Sequence, residues 1–297
     1  MGFLSGRLGI ENARVPHKSR HGLLWLERGT IMIESGCLLF KTSGFADIPA
    51  GEYGIPHQGL STLLMGPGTT ISHDAMRILN VHGTSIMAVG SGGVRLYSAP
   101  PLLPDDSTLA RHHAMLWSDL DKRIFVARKM FAIRFGEVLP HRSMDVLRGI
   151  EGGRIKKVYE IQAAKYRVPW NGRRFDRADP GSSDLVNQAI NHAATAMYAF
   201  SAIAVYSVGA IPQLGFIHEA SGDAFCLDIA DLYRATITIP IAFECTRFIM
   251  DNPDIPIERH VRKAINKTAG KSGLVDAMID NIKELFNGND GDHHKGR

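Results

Sequence analysis

The spacing of hydrophobic and polar residues changes about a third of the way along the chain. Up to residue 98 the apolar residues come in short alternating or continuous runs, which predict strands. Leu23–Glu34 (LLWLERGTIMIE) and Gly36–Thr42 (GCLLFKT) are two such runs, split at Ser35–Gly36. Leu60–Met65 and Thr84–Val89 repeat the pattern between Gly and Pro residues. Val94–Tyr97 closes the region. Ser72–Val81 is the exception, because Met76, Ile78 and Leu79 fit a short helix. Residues 99–106 (APPLLPDD) read as a linker, since prolines lack a backbone donor and oppose helix.

Beyond the linker the period becomes helical. Asp106 and Ser107 can cap a helix running through His112–Trp117. A second is predicted from Asp119 to Phe135, with Ile124, Ala127, Met130 and Phe131 at helical spacing and Gly136 as its stop. Ser143 can cap a long helix over Met144–Tyr166. Asp184–Val208 is rich in Ala and nearly free of charge, as expected of the buried centre of a bundle. Leu227–Phe248, Ile257–Asn266 and Leu274–Phe286 follow. The expected fold is α+β. A small N-terminal β-sheet domain (1–98) precedes the linker (99–106), a larger all-α-helical domain (107–286) and a disordered tail (287–297).

Composition narrows the class. Of 297 residues, 44% are hydrophobic and 22% charged, a globular balance that argues against disordered, collagen-like and coiled-coil chains. No apolar run approaches the ~20 residues that span a bilayer. The first twenty residues lack the continuous apolar core of a secretory signal. Cys37, Cys226 and Cys245 lie far apart and read as reduced thiols of a cytoplasmic protein, without zinc spacing. The net charge is only +4. Between Asp121 and Pro180, however, 15 Lys and Arg face seven Asp and Glu, a local +8, so the rest of the chain carries −4. Such a basic segment attracts polyanions, because each neutralised phosphate releases condensed counterions.

Glu151 draws attention within the Met144–Tyr166 helix. Leu147, Ile155 and Val158 stand four before, four after and seven after it, so Glu151 falls on the apolar stripe. A buried carboxylate needs a metal or a cationic partner, and Arg148 or Arg154 could be that partner. Gly152 and Gly153 cost ~1 kcal/mol each inside a helix, which implies close approach of another backbone or a ligand. Downstream, LGFIHEASGDAFCLDIAD places His218, Asp228 and Asp231 within fourteen residues, with the two Asp on one helical face. Glu151, His218 and Asp231 together would suit Mg²⁺ or Mn²⁺. A hydrogen-bonded core histidine and a helix-capping Asp are the competing reading. Gly90-Ser-Gly-Gly-Val reads as a hairpin turn and not a phosphate loop. Neither a GxSxG elbow nor a Walker motif occurs.

Taken in order, Arg128-Lys-Met-Phe-Ala-Ile-Arg-Phe-Gly-Glu, Leu147-Arg-Gly-Ile-Glu-Gly-Gly-Arg, Trp170-Asn-Gly-Arg-Arg-Phe-Asp, Gly215-Phe-Ile-His and Leu227-Asp-Ile-Ala-Asp resemble the CRISPR-associated integrase, Cas-one, most closely its subtype I-E branch. The resemblance spans roughly Gly22 to Phe286. It implies a β domain joined to a helical catalytic domain. It also implies a homodimer that works with a small ferredoxin-like adaptation partner on double-stranded and branched DNA. The implied reaction is metal-dependent attack of a prespacer 3′-OH on a phosphodiester of the CRISPR array, with Mg²⁺ or Mn²⁺ as cofactor. It makes Glu151, His218 and Asp231 the metal ligands and Asp228 an orienting or alternate ligand. Arg77 and Arg95 match residues along the prespacer path, Arg173 and Arg174 phosphate contacts, Tyr198 an aromatic near the active site, and Arg234 a basic position after the metal ligand. Arg28 stands where some relatives carry an aromatic wedge, and Leu227 where a tyrosine can help read the adjacent motif. A scaffold that binds DNA without cutting it is the competing functional reading.

Overall fold

The computed structural model describes residues 22–99, 107–141, 143–174 and 183–287. The N-terminal twenty-one residues, nearly all of the expected linker and nearly all of the expected tail lie outside the described residues. Among the described residues, eight strands and one α-helix form a first unit, and eight α-helices form a second together with Gly92–Arg95.

Two four-stranded sheets make up the first unit. One has the order β1 (Gly22–Leu26), β5 (Leu60–Met65), β7 (Ser85–Val89), β8 (Leu96–Ser98), with β8 antiparallel and the others parallel. The other has the order β4 (Gly51–Gly54), β3 (Cys37–Thr42), β2 (Gly29–Glu34), β6 (Thr69–Ile71). β5 is flanked on both sides and buried nearly throughout, as its Leu60, Leu63 and Leu64 suit, and the buried Ser61 hydroxyl within it donates to the Gly22 carbonyl at 2.9 Å. The helix α1 (His73–Val81) starts at Ser72, whose hydroxyl accepts from the Ala75 amide at 3.2 Å. Ile31, Leu38, Phe40, Leu63 and Leu79 are fully buried in the shared core.

Three expectations about this unit change. Leu23–Glu34 is two strands in different sheets, because Arg28 adopts φ 54° and turns the chain. Its neighbour must be glycine, since a Cβ on Gly29 would sit 2.4 Å from the Phe40 ring. Val94 lies outside a strand, and the last strand is Leu96–Ser98. The short strands β4 and β6 were not foreseen, for GEYG is exposed throughout and carries no alternation. The turn at Ser35–Gly36 does form a hairpin, with positive φ at both residues as a type I′ turn requires. The Gly90–Gly93 stretch likewise leads from β7 into its antiparallel partner β8.

The second unit contains α2 (Thr108–Ser118), α3 (Leu120–Phe135), α4 (Met144–Tyr166), α5 (Leu185–Ser207), α6 (Ala224–Asp231), α7 (Ile239–Asp251), α8 (Ile257–Ser272) and α9 (Leu274–Phe286). The Ala-rich α5 packs against α6, α7, α8 and α9 at the centre of the bundle. Asp119 caps α3 by accepting from the Lys122 amide at 3.1 Å, and Gly136 ends it at φ 72°. The expected single helix Leu227–Phe248 is interrupted. A π-helical turn at Arg234–Thr238 separates α6 from α7, and the Tyr233 carbonyl accepts from both Ile237 and Thr238. Pro240 accounts for the break, because it cannot donate to residue 236 and its ring crowds that carbonyl. α8 extends past Asn266 to Ser272. No described helix is long and apolar enough to cross a membrane.

Candidate metal and DNA site

Glu151 sits on the third turn of α4, between the buried Leu147 and Ile155. Its partner is neither Arg148 nor Arg154 but Arg134, from the C-terminal turn of α3. The Arg134 side chain is 2% exposed, and its Nη1 lies 2.5 Å from Glu151 Oε1. The Nη2 of the same guanidinium lies 2.9 Å from Asp231 Oδ2. That nitrogen is not aligned for a hydrogen bond, and Nε has no hydrogen-bond partner among the described residues. Arg148 instead donates to the Ile217 carbonyl and to Glu219, while Arg154 pairs with Glu137. The signal for Arg134 was present in the sequence, four residues after Met130 and three after Phe131 on the buried stripe of α3.

The loop before α6 carries His218. Asp228, 1% exposed, turns this loop back on the helix. Its Oδ2 accepts from the amides of Phe216 at 2.6 Å and Ile217 at 3.0 Å, and its Oδ1 from the amide of His218 at 3.0 Å. The same Oδ1 meets His218 Nδ1 at 2.6 Å. A proton held on Nδ1 leaves Nε2 with its lone pair, and Nε2 faces Asp231 Oδ2 at 3.9 Å. Four consecutive carbonyls of the loop are held from the other side. His113 Nε2 meets Leu214 O at 2.8 Å, Trp117 Nε1 donates to Gly215 O at 2.9 Å, Arg123 Nε to Phe216 O at 3.4 Å, and Arg148 to Ile217 O. Gly215 admits no side chain, because a Cβ there would lie 2.3 Å from the His218 carbonyl.

Electrostatics follow from this packing. Burial raises the Glu151 carboxyl above its usual range, and Arg134 opposes that shift. The Asp228 hydrogen bond raises the His218 imidazole, against desolvation. Asp231 is bracketed by two arginines, with Arg234 Nη1 3.5 Å from Oδ1. Arg234 also donates to the Tyr159 hydroxyl at 3.2 Å, and Tyr159 stacks on Trp170 at 4.8 Å.

Glu151, His218 and Asp231 are therefore neighbours, and Arg234 joins them. Among the described residues, no three His, Cys, Asp or Glu side chains form a ready-made metal cage. A guanidinium lies between the two carboxylates instead. The donor set still fits a hard divalent cation: two carboxylates and an imidazole whose free nitrogen faces one of them. The other expected residues are spread more widely. Arg173 is tied to Asn187 Oδ1 at 2.9 Å and Asn191 Oδ1 at 2.5 Å, and it reaches Tyr159 as well. Arg174 is exposed beside it. Tyr198 hydrogen-bonds Asp223, which precedes the first residue of α6, whereas Asp231 is the last residue of that helix. Arg77 pairs with Asp74 on α1, and Arg95 with Glu258 at 2.9 Å. Gly152 and Gly153 are exposed, and a Cβ on either would meet nothing within 4 Å. The expected close approach of another backbone is absent among the described residues.

Comparison with known proteins supplies a family. The family model described as CRISPR associated protein Cas1 matches residues 135–252. The CRISPR-associated endonuclease Cas1 of Escherichia coli K12 is 35% identical over 275 residues, covering 92% of this chain and 87% of that protein. The protein of the same description from Clostridium sp. SY8519 is 41% identical over 213 residues, 71% of this chain and 68% of its own. Among solved structures, a TtCas1–DNA complex superposes with a TM-score of 0.82 at 30% identity, covering 93% of this chain and all of that one.

Proposed function

Because the chain belongs to the CRISPR-associated Cas1 family, we propose that it is a divalent-metal-dependent DNA endonuclease and integrase of CRISPR adaptation. Its relatives are named endonucleases, and a solved neighbour is a DNA complex. The proposed substrate is double-stranded or branched DNA. The proposed reaction is attack of a prespacer 3′-OH on a phosphodiester of the array. The resemblance extends the proposal to a homodimer joined by a small ferredoxin-like partner.

One observation carries the assignment of the site. Asp228 fixes His218 through Nδ1, so that Nε2 faces Asp231, and Glu151 and Asp231 are drawn to a single cation. In this reading Glu151, His218 and Asp231 hold Mg²⁺ or Mn²⁺, and Asp228 orients the imidazole. Held by these residues, the metal would supply Lewis-acid chemistry at the scissile phosphate. The chain's own residues do the rest. Arg234 and Arg173, which both reach Tyr159, give the rim of the site a positive charge for phosphate. The exposed Lys156 and Lys157 of α4 extend that charge along the basic segment. Such contacts hold DNA without reading its sequence.

The test uses a 3′-OH duplex and supercoiled plasmid with Mn²⁺ or with EDTA. Asp231→Ala is expected to abolish strand joining while duplex binding stays within about threefold of the parent. Joining by this variant at the parent's rate would show that the ligand set is wrong. Metal-independent binding with no joining by the parent would leave the DNA scaffold as the function.

A further inference from the structure

We infer that Arg134 is a resident counter-cation that competes with the divalent metal for Glu151 and Asp231, and so sets how weakly the protein holds that metal. This rests on the metal reading above, in which Arg134 only marks the two carboxylates as neighbours, and gives that residue a role of its own.

The geometry is specific. Two nitrogens of one guanidinium address one oxygen of each carboxylate, at 2.5 Å and 2.9 Å. The side chain is 2% exposed, while those of Glu151 and Asp231 are 16% and 21% exposed, so solvent screens this cluster little. Two carboxylates held this close repel each other unless a cation lies between them. The guanidinium meets that need when no metal is bound. It is nevertheless poorly satisfied itself. Nη2 is misaligned on Asp231, and Nε has no hydrogen-bond partner among the described residues. A buried donor left unmatched in this way calls for an explanation beyond stability. A positive charge a few ångströms away raises the free energy of any divalent cation brought to the same oxygens. Replacing it with a neutral side chain removes that repulsion and leaves the mutual repulsion of the two carboxylates for a bound metal to relieve, with Arg234 still 3.5 Å from Asp231.

The experiment titrates the full-length protein with Mn²⁺ alone, by calorimetry and by electron paramagnetic resonance of free Mn²⁺, with no DNA present. Melting temperatures are recorded in EDTA and in Mn²⁺. Arg134→Gln is expected to bind Mn²⁺ about tenfold more tightly or better. In EDTA it should melt below the parent, and Mn²⁺ should raise its melting temperature more than it raises the parent's. Arg134→Met, which keeps length and apolar packing without the charge, should show the same gain and carries the test if Arg134→Gln does not fold. Arg134→Lys keeps a charge and should bind Mn²⁺ within about threefold of the parent. An unchanged or weaker Mn²⁺ affinity in both neutral variants would overturn the inference and leave the metal reading standing. Mn²⁺ binding by the parent that Asp231→Ala does not weaken would overturn the ligand set, and the inference with it.

Discussion

At the scale of single residues, Asp228 does the most with the least exposure. Its two oxygens answer three amides and an imidazole, so the loop's bend and the orientation of His218 share one cause. Asp228→Asn would turn an amide NH₂ towards donors that need an acceptor. Urea unfolding should show a loss of ~2–3 kcal/mol. Mn²⁺-dependent joining should slow about 10–100-fold. Unchanged stability together with an unchanged rate would remove Asp228 from the account. The sequence reading put Asp228 near His218 and Asp231 because all three lie in one short stretch. It misassigned the partner of Glu151, because Arg148 and Arg154 were near in sequence while Arg134 reaches it from another helix. A stripe pattern reports which face is buried but not which helix lies across from it.

At the scale of elements, the loop Leu214–His218 is held from both sides. Asp228 binds its amides, and α2, α3 and α4 bind four of its carbonyls, so the loop keeps one shape before any ligand arrives. His113 is the titratable part of that grip. Its Nδ1 accepts from the Ile211 amide at 3.2 Å while Nε2 donates to Leu214, which requires a neutral ring. Burial lowers its pKa from 6.5 to about 4. Above pH 6.5 the ring is neutral folded and unfolded, and its stabilising role is complete. As pH falls from about 6.5 to about 4, only the unfolded chain takes up the proton, so stability drops by up to ~3 kcal/mol and then levels off. Urea titrations at pH 7, 5.5 and 4.5 should show this fall, and His113→Gln should flatten it. An equal fall in the variant would contradict the assignment. Gly152 and Gly153 give a second prediction for elements. Since a side chain there meets nothing within 4 Å, each change to alanine should stabilise the protein by ~0.5–1 kcal/mol, read from denaturant midpoints. A loss of stability would mean that the open face is needed for the fold itself. Elements with local signals were legible in the sequence, such as α3 between Asp119 and Gly136. The π-helical turn was not, because Pro240 permits either a start or a break and the surrounding packing decides between them.

At the scale of the whole chain, the change from period two to period 3.6 was enough to separate the β unit from the helical unit. Sheet order was beyond its reach, since β1 and β2 are adjacent in sequence yet belong to different sheets. The arrangement was half legible: the motifs singled out Glu151, His218 and Asp231, and the fold places the Arg134 guanidinium between the two carboxylates. Diffraction from Mn²⁺-soaked crystals at the manganese edge tests the central claim most directly. The account predicts an anomalous peak ~2.0–2.2 Å from oxygens of Glu151 and Asp231 and from Nε2 of His218. Strong manganese peaks elsewhere, with none among these three side chains, would contradict it.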